Sequence, residues 1–314
     1  MKAYMNWKAY LSGLVMAMIF GLTFLFAKEG LRYLSPMVLL AYRFGIAAVT
    51  LTLLLLLKVV KVDYRGKPVK GVIALSVFYP VISFVFETIG IKYVSVSQAG
   101  IMVSLMPIFV MLLGMVMLKE NPTGIQKLFI AASITGVIVT VVFAKGSGES
   151  GNFIGILLLL AAILAGSINN VLSRKYSKYF TATEITFVML WTGAVFFSLV
   201  SMAQGIINHD LYNRFIAPMY EISSVTAVLY LGLLASVIAF FAMNYMLSKL
   251  PVVNASVFTN LATVISILAG VIIMHETLHW YQIAGGVLII SGVIGTNYFS
   301  GERTESDKKN MTVG

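Results

Sequence analysis

Residues 96–120, VSQAGIMVSLMPIFVMLLGMVMLKE, return in outline 156 positions later as residues 252–276, VVNASVFTNLATVISILAGVIIMHE. Val96/Val252, Ala99/Ala255, Leu105/Leu261, Leu112/Leu268, Gly114/Gly270 and Glu120/Glu276 are identical. Sliding residues 81–140 along the chain by 156 gives fifteen identities in sixty positions, and sliding by 157 gives five. Similar composition alone would score alike at both offsets. The chain therefore contains an internal duplication, and the repeated unit reveals the architecture.

Each copy is free of charged residues until its last two positions, over a length that suits a membrane. A helix crosses the roughly 30 Å hydrocarbon core in about 20 residues at about 1.5 Å per residue. Ten segments meet that length, namely 9–27, 37–57, 71–91, 97–118, 128–144, 152–173, 185–207, 222–248, 252–274 and 280–300, covering 216 of 314 residues. Eight carry no Asp, Glu, Lys or Arg, while the second holds Arg43 and the third Glu87. The first ends at Lys28-Glu29 with no small-x-small cleavage site, so it reads as a span and not a signal peptide.

Composition agrees. The chain is 59% hydrophobic and 11% charged, with mean hydropathy +0.94, against about 45–50% and about 25% for soluble proteins. A soluble enzyme is excluded. The net charge of +10 is dispersed between apolar runs, so no nucleic-acid partner is expected. The chain has no cysteine, hence no disulfide, thiolate metal site or thiol nucleophile. The expected fold is an all-α polytopic membrane protein of ten transmembrane helices. With the N-terminus inside, inside segments hold sixteen Lys and Arg and outside loops five. The positive-inside rule thus predicts both termini in the cytoplasm, at the cytoplasmic membrane.

Five spans per copy is an odd number, so the second copy enters from the opposite side. The predicted organisation is a first five-helix repeat at 9–144, a linker at 145–151, a second repeat at 152–300 and a cytoplasmic tail at 301–314. Inverted repeats of this kind build secondary transporters, in which two similar halves open one central site to each side in turn. The linker matches G-x-G-x-x-G through Gly146, Gly148 and Gly151. Flanking spans of membrane length deny it the strand and helix that a dinucleotide site needs.

These residues resemble the drug/metabolite transporter superfamily, in particular its EamA-type members with two repeats of five helices. The resemblance rests on Pro36…Arg43…Ala47, on Ser104-Leu-Met-Pro107 through Leu118-Lys-Glu120 to Gln126…Gly136, and on Leu261 through Met274-His-Glu276 to Gln282…Gly292. It covers the chain from about Leu11 to about Phe299. The chain departs from it in the second copy, where Thr263 replaces Pro107 and no arginine matches Arg43. The resemblance implies an inner-membrane carrier of small organic molecules, often an exporter, without fixing the substrate.

An ionisable side chain at membrane depth marks a functional site by default. Arg43 and Glu87 lie at similar depth, about 9 Å and about 6 Å from the outer edge at the helical rise. They are expected to meet or to face a common cavity; a structural ion pair is the rival reading. Glu87 is also the candidate for proton coupling. Polar stripes at helical spacing add cavity-lining candidates: Tyr79 and Ser83 on the third helix, Ser104 on the fourth, Asn170 on the sixth and Asn244 on the eighth. The ninth helix contributes Ser256, Asn260 and Thr263. Packing between helices is the competing role for such residues, especially Ser and Thr.

Other features read as structure. Thr123-x-x-Gln126 fits a capping box, and Glu120 and Glu276 belong with helix-end electrostatics. Ala132/Gly136 and Ser291/Gly295 suit close helix packing, a homodimer contact included. His275 and His279 lack a third ligand, so no metal is expected, nor any other cofactor. The expected partners are a small-molecule substrate and the lipid bilayer. A membrane-embedded enzyme would need acidic or histidine residues clustered at one face, and those here are scattered. A sensor would need an output domain, for which 14 residues after Ser300 are too few.

Overall fold

The computed structural model describes residues 7–117, 122–146, 150–176, 178–250 and 252–311, which include no β-strand. Ten helical rods follow one another: α1 Trp7–Gly30, α2 Pro36–Leu56, α3 Val69–Ile91, α4 Val96–Met117, α5 Gly124–Gly146, α6 Ser150–Tyr176, α7 Ala182–Ile207, α8 Ile222–Lys249, α9 Val252–Leu268 with Ala269–Ile273, and α10 Trp280–Met311. All ten expected spans are present. Nine are long and apolar enough to cross a membrane, and the described apolar part of α9 is shorter. α10 runs on past residue 300, through most of the segment expected to be a tail. Glu120 and the centre of the 145–151 linker lie outside the described residues.

Local chemistry starts several rods. Pro36 begins α2, where its missing N–H costs no hydrogen bond. Ser95 Oγ accepts from the Gln98 N–H at the start of α4. The expected capping box opens α5: Thr123 N donates to Gln126 Oε1 at 2.8 Å and Gln126 N to Thr123 Oγ1 at 3.3 Å. At the matching place in the second copy, His279 N donates to Gln282 Oε1 at 2.9 Å, so histidine leaves only half of the box.

The rods pack as two interlocked copies. α2 packs on α7, α5 on α10 and α4 on α9, each rod against its own repeat mate. α3 packs on α6 as α8 packs on α1, and α1 on α9 as α6 on α4. The α5–α10 crossing is reciprocal residue by residue. A Cβ on Gly136 would lie 2.6 Å from the Gly285 carbonyl oxygen and 2.9 Å from Ile289. A Cβ on Gly292 would lie 2.5 Å from the Phe129 carbonyl oxygen and 2.1 Å from Ser133 Oγ. Adding 156 to 129, 133 and 136 gives 285, 289 and 292, so the contact is self-complementary, as across a two-fold axis. Ser133 also donates to the carbonyl of its own counterpart, Ile289, at 3.2 Å. Gly136 and Gly295, the latter against the Phe129 ring, are thus used inside the chain.

Candidate functional site

α3 and α8 are repeat mates, and both leave the α-helical pattern in mid-span. At Val77–Ile82 the helix is kinked, with Tyr79 in an extended conformation (φ −144°, ψ 113°), and Tyr230–Ile238 is π-helical. Adding 156 to 77–82 gives 233–238, so the breaks occupy equivalent positions. π-turns recur at functional sites, and interrupted helices at a repeat interface are where transporters of inverted design bind their substrates. Here the two breaks flank Arg43.

The π-turn of α8 sets Arg43's partner. Ser236 Oγ donates to the Leu231 carbonyl five residues back at 2.8 Å, which leaves its lone pairs to accept from Arg43 Nε at 3.1 Å. α8 reaches α2 this closely because Gly232 has no side chain; a Cβ there would sit 2.9 Å from Ile46 and 3.3 Å from the Arg43 carbonyl oxygen. On the other side the guanidinium lies over the Phe84 ring, 4.6 Å from its centroid, a favourable cation–π arrangement. Phe84 packs on Phe44 and Tyr79, with ring centroids 5.0 Å apart in each case. Gly193 of α7 abuts Phe44 and Pro80, closing the wall. Arg43 is only 8% exposed.

Glu87 follows Phe84 by one turn of α3 and is half-buried. Among the described residues it has no hydrogen-bond partner and forms no ion pair within 4.0 Å, with Arg43 or any other cation. Arg43's two terminal nitrogens likewise have no acceptor among the described residues. The opposite charges stand on rods that pack together, α2 and α3, without touching. Beside Ser236, α2, α7 and α8 meet along a closely packed, mostly apolar seam that includes Leu51, Thr186, Leu190 and Phe240.

The remaining candidates are placed as follows. Tyr79, in the α3 break, joins the Arg43 group. Ser83 Oγ instead donates to the Ala162 carbonyl of α6 at 2.9 Å, a tie between helices. Ser104 and Asn244 donate to carbonyls of their own helices, Ile101 at 2.6 Å and Phe240 at 3.0 Å. Asn170 is exposed and meets Met106 Sδ at 3.5 Å. Thr263 is buried and Asn260 half-buried on α9, while the Ser256 side chain lies outside the described residues. Among the described residues no group of three His, Asp or Glu is placed to hold a metal.

Two carboxylates work at helix ends. Glu276 accepts from the N–H groups of Val96 at 2.6 Å and Ser97 at 3.0 Å, capping α4 from the other repeat. Glu184 was not among the expected residues, although Thr181-x-x-Glu184 spells a capping box. It accepts from Lys67 Nζ at 2.8 Å, from the Asp63 N–H at 2.9 Å and from the Thr181 N–H at 2.9 Å. Tyr64 donates to the Glu184 carbonyl oxygen at 3.0 Å. Burial, then the charge of Glu184, push the Tyr64 phenol up to about 12, so it remains a donor at physiological pH. Loop 57–68 is thereby strapped over the start of α7. At the opposite face the α7–α8 connection lies over the start of α2, where Tyr42 donates to the Phe215 carbonyl at 2.8 Å.

Ten helical rods, nine of them of membrane length among the described residues, and a duplicated unit define a multi-pass membrane protein. The family model of the EamA-like transporters matches residues 7–142 and again 153–298, and the chain belongs to that family. An uncharacterized transporter, YcxC, of Bacillus subtilis (strain 168) is 36% identical over 289 residues, covering 92% of each chain. A probable amino-acid metabolite efflux pump of Salmonella typhimurium (strain LT2) is 23% identical over 287 residues, covering 89% of this chain and 91% of its own. A solved crystal structure shares the fold at a TM-score of 0.63 and 18% identity, over 94% of this chain and 97% of its own.

Proposed function

We propose that the protein is a secondary carrier exporting small organic metabolites, amino acids and related compounds among them, by alternating access across the cytoplasmic membrane. Both termini lie in the cytoplasm in this reading, so loop 57–68 straps the inner face and the α7–α8 connection covers the outer one. The observation that carries it is the pair of helix breaks, a kink at Tyr79 and a π-turn in α8, at repeat-equivalent positions flanking buried Arg43. Two halves of one design can exchange conformations about such a site, and each has a cover at one face. Two relatives described as probable amino-acid metabolite efflux pumps support outward movement of amino-acid metabolites. Glu87, the acidic side chain within α3, is the coupling group.

Purified protein in proteoliposomes loaded with labelled amino acids tests this, with and without an imposed proton gradient. Protein-dependent efflux that responds to the gradient is expected, and Glu87→Gln is expected to abolish the response. Absence of flux under every gradient, or substrate turnover in detergent without vesicles, contradicts the proposal. Proton-insensitive efflux by the unaltered protein contradicts the role of Glu87 alone.

A further inference from the structure

Resting on that reading, we infer that Arg43 and Glu87 are the two poles of one site for a zwitterion, Arg43 taking a carboxylate and Glu87 an ammonium. Arg43 is fixed by its surroundings, and neither charged group has its charge answered by contact among the described residues. Arg43 is held at Nε by Ser236 and from below by the Phe84 ring, which leaves its terminal N–H groups without an acceptor among the described residues. Those groups form the planar fork that matches a carboxylate. Glu87 stands one turn further along α3 with both oxygens unpaired among the described residues. Ser236 and Glu87 belong to opposite repeats, so the site straddles the interface that must move.

Electrostatics decides the ligand class. Opposite charges that do not touch are each costly at membrane depth. A ligand with one charge answers one pole and leaves the other exposed in a poor solvent. A zwitterion answers both and adds no net charge to the site. Tyr79, Phe44 and Phe84 supply an aromatic wall beside the poles, which suits an apolar side chain between the two charged ends. The class is therefore an α-amino acid with an apolar side chain, not an organic cation and not a carboxylic acid.

Thermal unfolding of the full-length protein in detergent tests this through ligand-induced stabilisation, since a ligand that binds only the folded state raises the midpoint. The probes are L-phenylalanine, phenethylamine and 3-phenylpropanoate, which share a ring and differ in charge, with L-leucine, isoamylamine and 4-methylpentanoate as an aliphatic set. For the unaltered protein the half-maximal concentration of each amino acid is expected to be at least tenfold below that of either analogue. Arg43→Gln is expected to erase the preference for amino acid over amine, and Glu87→Gln the preference over acid. Should Arg43→Gln fail to fold, Ser236→Ala loosens the guanidinium and keeps its charge; it is expected to weaken amino acid and acid together and spare the amine. Equal stabilisation by a singly charged analogue, no shift with any probe, or variants that retain full discrimination would overturn the inference. Discriminating binding without vesicle flux would overturn the carrier reading alone. Flux without discrimination would overturn the assignment of poles alone.

Discussion

Glu184 shows how a single carboxylate can hold two distant segments together. With 3% of its surface exposed it takes a lysine, two backbone N–H groups and its own helix start into one network. Removing its charge leaves Lys67 without its partner and the Asp63 N–H with a weaker acceptor, at a cost of about 1–3 kcal/mol. Glu184→Gln is accordingly expected to lower the unfolding midpoint in detergent. Lys67→Met added to it should cost less than the two single changes summed, because both act on one contact. Legibility at this scale was uneven. Arg43 and Glu87 stood out because charges are rare in apolar runs. The pairing of Arg43 with Ser236 did not, because it crosses 193 residues and depends on a π-turn that spacing does not reveal. Ser83 and Asn244 have the same polar character as Ser236, yet their hydrogen bonds end on backbone carbonyls.

At the scale of elements, the tightest joint is α5 against α10. Gly292 meets a backbone carbonyl at 2.5 Å from where a Cβ would stand, and backbone cannot swing aside like a flexible side chain. Gly292→Ala is expected to cost about 1–3 kcal/mol or more through overpacking. Gly45, in α2, has nothing within 4 Å of a Cβ. Gly45→Ala should therefore stabilise the helix by up to about 1 kcal/mol. Unfolding midpoints of the two variants in detergent check both statements, and the sign should differ. Span length and apolarity made all ten rods legible, and the capping box of α5 was legible at its start. The breaks of α3 and α8 were not, since Pro80 marks only one of them and Ser236 stands at its counterpart.

For the molecule as a whole, the duplication was readable in the offset of 156, and inversion followed from five spans being odd. How the copies interlock was not readable, because pairing of α3 with α6 and of α8 with α1 is a matter of packing between halves. The chain has no cysteine, so any introduced one is its only thiol. Position 93 lies between α3 and α4, and adding 156 gives position 249, at the end of α8. Both residues, Tyr93 and Lys249, are exposed. The most direct measurement is labelling of Tyr93→Cys and Lys249→Cys in cells with a thiol reagent that does not cross the membrane. The account predicts labelling of position 93 in intact cells, and of position 249 only after the membrane is opened. Labelling of both positions from the same side would contradict an inverted pair of repeats, and the site built between them.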